Sequence, residues 1–160
     1  MAHLRLKRNL LKSLKDYFID ELTEDGWTDI IVDFQTKQTT TTVPAPKLLI
    51  SILDMDNKFL EIGSGKFRRY PTIVLRIFGT DNANREDLSD WTIEKLERNI
   101  PYNRYVLSKG IVTSKILAGS ISIQKIIRDE HELGSTNPDV LDSEDRYRHN
   151  ITFSCHVGLI

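Results

Sequence analysis

The chain has 160 residues, of which 22 are Lys or Arg and 23 are Asp or Glu, so its formal net charge at pH 7 is −1. This balance excludes a general electrostatic attraction to DNA or to an anionic membrane, although a local basic patch is compatible with it. The length fits one domain that needs neither a metal nor a disulfide to bury its core. The single Cys155 excludes an intrachain disulfide, and its place in an alternating apolar row predicts a buried, unreactive thiol.

The N-terminal segment predicts an amphipathic helix. Between residues 4 and 22 the apolar side chains recur at spacings of three and four, which is typical of a helix that packs on a core, and Gly26 is expected to end it. Asp16, Asp20 and Glu21 argue against a membrane-surface helix. Neither a signal peptide nor a run of about 20 apolar residues is present, so we expect a soluble protein without a membrane partner.

The next segment predicts two strands separated by a polar stretch. Residues 27–34 alternate in the manner of a strand, and residues 48–53 form an apolar run typical of a buried one. Between them, residues 36–46 carry four consecutive threonines and two prolines, which bury little. We expect either a plain surface loop or a flexible arm that becomes ordered on binding. Asn and Gly within residues 57–65 mark the connection to the next strand.

The stretch 71–105 predicts a buried strand, a polar turn and a capped helix. Residues 73–78 are β-branched, aromatic or Leu except for Arg76, which is typical of a strand buried on both faces. Asn84 is the expected N-cap of the helix, with carboxylates in its first turn and apolar residues at helical spacing as far as Ile100. Pro101 is expected to end the helix, because its ring excludes the preceding residue from the α region.

Two further segments alternate. Residues 117–124 predict a half-buried strand with one polar face, and residues 150–159 predict a last strand. The acidic segment 131–145 contains Gly, Ser, Asn and Pro and is expected to be a flexible loop. No internal repeat is visible. The order α-β-β-β-α-β-β predicts a single α+β domain with a mainly antiparallel sheet and two helices packed on it.

Motifs for catalysis and cofactor binding are incomplete. The segment IGSGKF resembles a phosphate-binding loop, but the first Gly of that motif would fall at Leu60 and its Ser or Thr at Phe67. Asp54 and Asp56 are compatible with a divalent ion but are more typical of a solvated turn. The four histidines lack metal-ligand spacing, and no Ser occupies a Gly-x-Ser-x-Gly turn. We therefore expect no enzyme activity, no cofactor and no metal.

Two basic features remain. Residues 66–70, KFRRY, interleave cations that can neutralise phosphate with rings that can stack on bases, and the alternative is a solvated or subunit-contacting turn. Arg76 lies inside an apolar strand, where an unpaired buried charge is costly. We slightly favour an intrachain salt bridge for Arg76 over an inter-subunit contact.

The strand PTIVLRIFG, the acidic turn after it, the helix REDLSDWTIEKLERNIP and the return strand beginning YNRYV form a recognisable combination. It resembles the tail terminator, or tail completion, proteins of long-tailed bacteriophages, the lambda-type family. A similar N-terminal helix and a closing strand like YRHNITFSCHVGLI are found in that family. Outside residues 71–105 the similarity is one of element order and length. The long loop between residues 118 and 147 departs from the shorter members, so contacts are not transferred there.

The resemblance implies a structural role in the virion, at the top of the tail, for a protein made in the host cytoplasm. A ring of six copies would cap the tail tube protein, stop its elongation and offer its opposite face to the head-completion or neck protein. DNA would pass through the lumen without specific recognition. A heterologous interface can close into such a ring. The candidate subunit or tube contacts are Lys66, Arg68, Arg69, Arg76, Thr39, Thr40, Thr41, Thr42, Glu132 and Asp139.

Three alternatives stay open. A neck connector ring of similar fold differs from a terminator in its position in the particle. A small nucleic-acid-binding or regulatory module would be centred on residues 66–70, and replacing Arg68 and Arg69 by Ala should then abolish DNA retention and its steep salt dependence. An enzyme of unrecognised type would be indicated by a divalent ion that raises the melting temperature of the wild type but not of Asp54→Ala.

Overall fold

Two helices and six strands form the described part of the chain. The computed structural model describes residues 2–36, 44, 46–59, 67–130 and 148–159, with the backbone alone at 2–5, 54–59, 67–69, 129–130 and 148. The predicted α+β class is confirmed, with one strand more than expected. The elements in chain order are α1 (Ala2–Glu24), β1 (Ile31–Phe34), β2 (Lys47–Phe59), β3 (Phe67–Phe78), α2 (Asn82–Leu96), β4 (Ile100–Ser108), β5 (Ile111–Glu130) and β6 (Arg148–Leu159).

The strands form one six-stranded sheet in the order β1-β2-β3-β6-β5-β4. Only β1 and β2 pair in parallel, and the other four pairings are antiparallel, as the sequence predicted. The last strand, β6, lies between β3 and β5. It therefore joins a unit made of the first three strands to the β4–β5 hairpin.

Helix α1 lies on the concave face of the curled sheet. Leu10, Leu14 and Phe18 follow one another at a spacing of four and have no exposed surface. Because α1 contacts β4 at one edge of the sheet and β1 and β2 towards the other, the sheet curls around it. The helix ends as predicted at Gly26, whose φ of 77° is the left-handed conformation common after a helix C-terminus, and Trp27 N–H donates to the carbonyl of Leu22 at 2.9 Å.

Helix α2 is displaced from its predicted bounds. Its N-cap is Asp81, which has extended backbone angles and accepts a hydrogen bond from the backbone N–H of Asn84, so the prediction of Asn84 as N-cap was wrong. The Asn84 side chain accepts instead from Thr80 N–H at 3.2 Å. The helix ends at Leu96, before the predicted stop, because Ile100 and Pro101 already belong to β4, an edge strand in which a missing N–H is tolerated.

The strands also differ in length from the predictions. β1 begins only at Ile31, because Asp29 takes a left-handed φ of 67° that interrupts an extended chain. β2 and β3 continue beyond their apolar runs to the pair Phe59 and Phe67. Asn57, Asp54 and Asp56 therefore lie in β2 rather than in a turn or connection, and residues 67–70 lie in β3 rather than in a turn.

The central strand β3 is buried on both faces, as predicted. Ile73, Leu75 and Ile77 have no exposed surface and belong to the core cluster beneath the helices, and Val74 and Phe78 are buried on the opposite face. Cys155 of β6 is buried in the same core, and burial raises the pKa of its thiol to about 12. The prediction of a buried Cys155 is thus confirmed.

Strand β5 is 20 residues long, although only residues 117–124 were predicted. The pairing shifts between Tyr102 and Asn103, which lie opposite Gly119 and Leu117, so that Ala118 is an extra residue in a β-bulge. The alternation changes phase at this point, so that Leu117, the first apolar residue of the predicted alternating segment, is 59% exposed. The final alternating strand is confirmed as β6.

Candidate assembly surface

Strands β4 and β5 form a hairpin with a two-residue turn. Ser108 pairs with Ile111, and the two residues between them, Lys109 and Gly110, have φ angles of 51° and 80°. Positive φ at both central positions is characteristic of the tight turns whose twist matches that of a hairpin. The turn fixes the register of the two strands on either side of it.

Residues 106–117, which contain the turn, are named here the hairpin tip, and the last three of them, 115–117, pair with residues 103–105 of β4. Ile111 is 70% exposed, and four other large apolar side chains of the tip are at least 40% exposed. Successive residues of a strand point to opposite faces, so the neighbours Ile111 and Val112 make both faces of the tip apolar. Large exposed apolar surface in a folded protein is typical of interaction sites, so these side chains favour one at the hairpin tip. The other three exposed apolar residues are Val106, Ile116 and Leu117.

The base of the hairpin is held by α1. Asn103 N–H donates to Ser13 Oγ at 2.9 Å, and Ser13 Oγ donates to the Asn103 carbonyl at 3.3 Å. Tyr105 N–H donates to Asn9 Oδ1 at 3.4 Å, and its carbonyl accepts from Arg8 Nη2 at 3.3 Å. These side chains satisfy outward-facing backbone groups of an edge strand, which would otherwise attract another strand. The hairpin is therefore anchored to α1 at Asn103 and Tyr105.

The Tyr105 side chain adds to this anchor. Its hydroxyl donates to Asp16 Oδ2 at 2.6 Å, and Lys12 Nζ lies 5.8 Å from the centre of its ring. Burial, together with the hydrogen bond to Asp16, raises the pKa of the Tyr105 hydroxyl. Lys115 of β5 lies 3.5 Å from the same carboxylate. The orientation of the hairpin relative to α1 is thus fixed by polar contacts from both strands.

A second polar cluster joins the two helices. Lys95 is 2% exposed, and its Nζ lies 2.7 Å from both Glu21 Oε2 and Asp25 Oδ2. Trp91 Nε1 donates to Asp25 at 2.7 Å, and the Tyr17 hydroxyl donates to the Lys95 carbonyl at 2.8 Å. The hydrogen bonds from Lys95 and Trp91 lower the pKa of Asp25, and those to Asp25 and Glu21 raise the pKa of Lys95. This cluster pairs its charges internally and is best explained as a clamp between α1 and α2.

A third cluster lies under α2 and combines a hydroxyl, an imidazole and a carboxylate. Ser89 Oγ is 2.8 Å from His149 Nδ1, and His149 Nε2 is 3.5 Å from Glu86 Oε1. Arg128 bridges Glu86 and Asp90 on the outer side. Such groups can act together in hydrolysis, but Ser89 and His149 have no exposed surface, so a substrate cannot reach the hydroxyl. The arrangement ties α2 to β5 and β6.

Arg76 is the one predicted contact whose side chain the structure describes. It lies on the sheet face opposite the helices, between Leu49 of β2 and Asn150 of β6, and it is partly exposed. It forms no ion pair with the described residues, so the favoured intrachain salt bridge is not found there, and its role as a subunit contact stays a prediction. Arg68 and Arg69 lie on β3, with only their backbone described. The other predicted contacts lie outside the described residues: Thr39, Thr40, Thr41, Thr42, Lys66, Glu132 and Asp139.

Metal-binding clusters and membrane-spanning helices are absent from the described residues. Among the described side chains, no group of three or more His, Cys, Asp or Glu residues is arranged to hold a metal ion. The carboxylates of Asp54 and Asp56 lie outside that set. No helix in the described ranges combines the length and the apolar character needed to cross a membrane.

The hairpin tip itself was not predicted, although the sequence carries a signal for it. Lys109 and Gly110 separate two segments that contain β-branched and apolar residues, which is a pattern of a two-residue hairpin turn. Comparison of the chain with protein-family models and with curated proteins gives no match. A function for this chain is therefore inferred from its own sequence and geometry.

Proposed function

We propose that this protein is a ring-forming tail terminator of a long-tailed bacteriophage and has no enzymatic role. In this role a ring of about six copies caps the tail tube, stops its elongation and presents the docking surface for the head or neck. DNA passes through its lumen without being read. The resemblance of residues 71–105 to the lambda-type tail terminators supports the assignment, and so does the hairpin tip described above.

The observation that carries the proposal is the apolar hairpin tip on an anchored base. Full burial of one Ile side chain stabilises a contact by about 1.5–3 kcal/mol, and Ile111 has most of that surface available for a partner. Because α1 already fixes the base of the hairpin, little conformational entropy is lost when the tip binds. An exposed apolar surface on a hairpin with a fixed base suits a protein that acts by binding another protein. Catalysis in a buried site does not require such a surface.

The test combines native mass spectrometry with negative-stain microscopy of the purified protein, alone and mixed with tail tube protein. We expect rings in solution or rings at tube ends, and rings only at tube ends would mean that the tube templates their closure. A chain that stays monomeric in both conditions and leaves tube ends bare would overturn the proposal. Rings that form in solution but leave the tube ends bare would favour the neck connector instead.

A matched pair of variants tests the role of the hairpin tip. Ile111→Ser removes an apolar side chain that is 70% exposed on the tip, and Leu53→Ser removes one that is 69% exposed on β2. We expect Ile111→Ser to weaken association roughly tenfold and Leu53→Ser to leave it nearly unchanged. Equal effects of the two substitutions would show that the tip has no special part in assembly.

A further inference from the structure

Part of strand β5 has a neighbouring strand on only one side. β4 begins at Ile100, which pairs with Ile121, so β4 covers β5 only as far as that residue. From Ser122 to Ile127, β5 pairs with β6 and with no other described strand. The backbone groups of this stretch that point away from β6 form no hydrogen bond with another described backbone group. Residues 122–127 are named here the open edge of β5.

A groove runs beside the open edge. Its volume is about 500 Å³, and it is lined by residues 96–99, which lead from α2 into β4, and by residues 121–126 of β5. Ile123 and Ile126 give it apolar surface, because they lie on the helix side of the sheet and are only partly buried. The groove therefore lies where a strand next to this part of β5 would be placed.

The adjoining edge, along β4, is protected against the addition of a strand. Pro101 has no N–H, and the N–H groups of Asn103 and Tyr105 donate to side chains of α1. Proteins commonly protect exposed edges, because an unprotected edge attracts a further strand. No described side chain caps the open edge of β5 in this way. The difference favours a partner that adds an extended strand at the open edge.

β1, at the opposite edge of the sheet, offers such a strand. The N–H of Ile31 donates to the carbonyl of Pro46 beside β2, so the backbone groups of the next residue, Val32, point away from β2. The Val32 side chain belongs to the core beneath the helices, so Ile31 and Asp33 lie on the opposite face of the sheet. Ile31 is 39% exposed there. β1 thus combines an outward-facing backbone edge with an exposed apolar side chain.

The directions of the strands are compatible with a contact between copies of the chain. β1 runs parallel to β2, and three successive antiparallel pairings lead from β2 through β3 and β6 to β5. β1 and β5 therefore run in opposite directions. When a second copy continues the sheet in the same orientation, its β1 is antiparallel to the open edge of the first copy.

The open edge carries two side chains that match those of β1. Ile126 packs against the core, so Lys125 and Ile127 lie on the face opposite the helices, beside Ser154 and Thr152 of β6. Ile127 is 49% exposed, and Lys125 is exposed and forms no ion pair with any described residue. A lysine on an edge opposes the addition of a strand unless that strand supplies an opposite charge.

We propose that β1 of one copy adds to the open edge of β5 in the next copy, antiparallel to it, with Ile31 beside Ile127 and Asp33 beside Lys125. One register gives both pairs, because Asp33 follows Ile31 by two residues and Lys125 precedes Ile127 by two. The two exposed isoleucines cover each other, and Asp33, which contacts Lys15 at 3.3 Å, gains a second cation. The inference rests on the proposed function and names its subunit contact.

This contact is head-to-tail. β1 and the open edge lie on opposite sides of the sheet, so each copy that has bound one neighbour still presents the other kind of edge to the next. A contact of this type closes into a ring when the rotation between copies allows it. Main-chain hydrogen bonds provide the affinity, and the side-chain pairs fix the register.

Disulfide cross-linking tests the register. A chain with both Ile31→Cys and Ile127→Cys places a thiol of one copy opposite a thiol of the next, and directly opposite residues of antiparallel strands have Cα atoms about 4.5–5.5 Å apart, which suits a disulfide. Oxidation of this variant, assembled with tube protein, should link several copies in series on a non-reducing denaturing gel. Cys155 is buried and does not compete.

The matched control combines Ile31→Cys with Leu159→Cys, because Leu159 is 72% exposed on β6 and its thiol would be reached only by random collision. We expect the variant with Ile127→Cys to link at least roughly tenfold faster than this control. Equal rates would overturn the inference. Ile127→Cys alone should form no covalent dimer, and rapid dimer formation would show instead that two open edges pair with each other.

The wild type provides a measurement that does not depend on the folding of any variant. We expect backbone amides within residues 122–127 to exchange with solvent roughly tenfold more slowly in the assembled protein than in the separate chain, because they become hydrogen-bonded. Hydrogen exchange followed by mass spectrometry measures this. Exchange that is unchanged in this segment on assembly would overturn the inference.

Failure of this inference can be told apart from failure of the proposed function. If the wild type forms rings or caps tubes, but the open edge gains no protection and the two cysteines do not link, the subunit contact lies elsewhere and the terminator function stands. If the wild type neither associates nor caps tubes, the proposed function itself is overturned.

Discussion

Gly119 and Gly158 lie close together on neighbouring strands, and a methyl group added to each is expected to have very different consequences. A Cβ at Gly119 would lie 1.9 Å from the carbonyl oxygen of Gly158, whereas a Cβ at Gly158 would find its nearest neighbour, Ser120 Oγ, at 3.9 Å. Real Cβ atoms are essentially never closer than 3.0 Å to such an atom, so Gly119→Ala must push β5 and β6 apart by about 1 Å. A side chain can relieve such a clash by changing its rotamer, but the backbone atoms of Gly158 cannot.

The size of the effect follows from the backbone hydrogen bonds between β5 and β6 that this movement weakens. Separation of β5 from β6 around Gly119 weakens about two or three backbone hydrogen bonds, each worth about 1 kcal/mol, so we expect Gly119→Ala to lower the free energy of unfolding by about 2–3 kcal/mol. For a chain of this size, the melting temperature should fall by roughly 5–10 °C. Gly158→Ala should change the stability by less than about 1 kcal/mol.

Urea denaturation followed by circular dichroism, together with calorimetry, measures both variants against the wild type. Equal stabilities for the two variants would refute the reasoning, because both add one methyl group to the same pair of strands. A loss of stability in Gly158→Ala that exceeds the loss in Gly119→Ala would do so more strongly.

Three further predictions concern single side chains. Asp81→Ala removes the N-cap of α2 and should lower the free energy of unfolding, measured in urea, by about 1 kcal/mol. Asp81→Ser keeps a good N-cap residue and should retain most of that stability. The pKa of Asp25 is lowered from 3.8 by Lys95 and Trp91, so its stabilising effect is complete above that pH and is lost as the pH falls through its lower folded-state value. The melting temperature of Asp25→Asn should accordingly fall less steeply below pH 3.8 than that of the wild type. Cys155 should react with a thiol reagent at pH 8 only as fast as the protein unfolds, and rapid labelling of the native protein would contradict its burial.

The elements that the sequence predicted well are those in which burial alone sets the pattern. The spacing of Leu10, Leu14 and Phe18 predicted α1, and the alternation around Cys155 predicted β6, because each has one face against the core. The extensions of β2 and β3 were missed because residues such as Asp54 and Asn57 are polar. They are in strands because of their hydrogen-bonded partners on β3, which no local pattern reveals.

The start of α2 shows a different limit. Asp81 and Asn84 are both strong N-cap residues, and the sequence offers no local reason to prefer one. In the structure Asp81 accepts from Asn84 N–H and Asn84 accepts from Thr80 N–H, so the two residues share the capping. The hairpin tip was missed for a third reason: polar residues between Val112 and Ile116 conceal its apolar character. Whether such residues are exposed depends on the elements around them, as the bulge at Ala118 illustrates.

The position of β6 in the middle of the sheet has a consequence for how the protein folds. The pair Thr72 and Ser154 joins segments far apart in the chain, and within the sheet the β4–β5 hairpin is connected to the first three strands only through β6. Pairings of this range close large loops and form slowly. During synthesis, the sheet therefore stays in two parts, with α1 in contact with both, until residues 148–159 emerge and align between them. Completion of the sheet then makes the two units one cooperative structure.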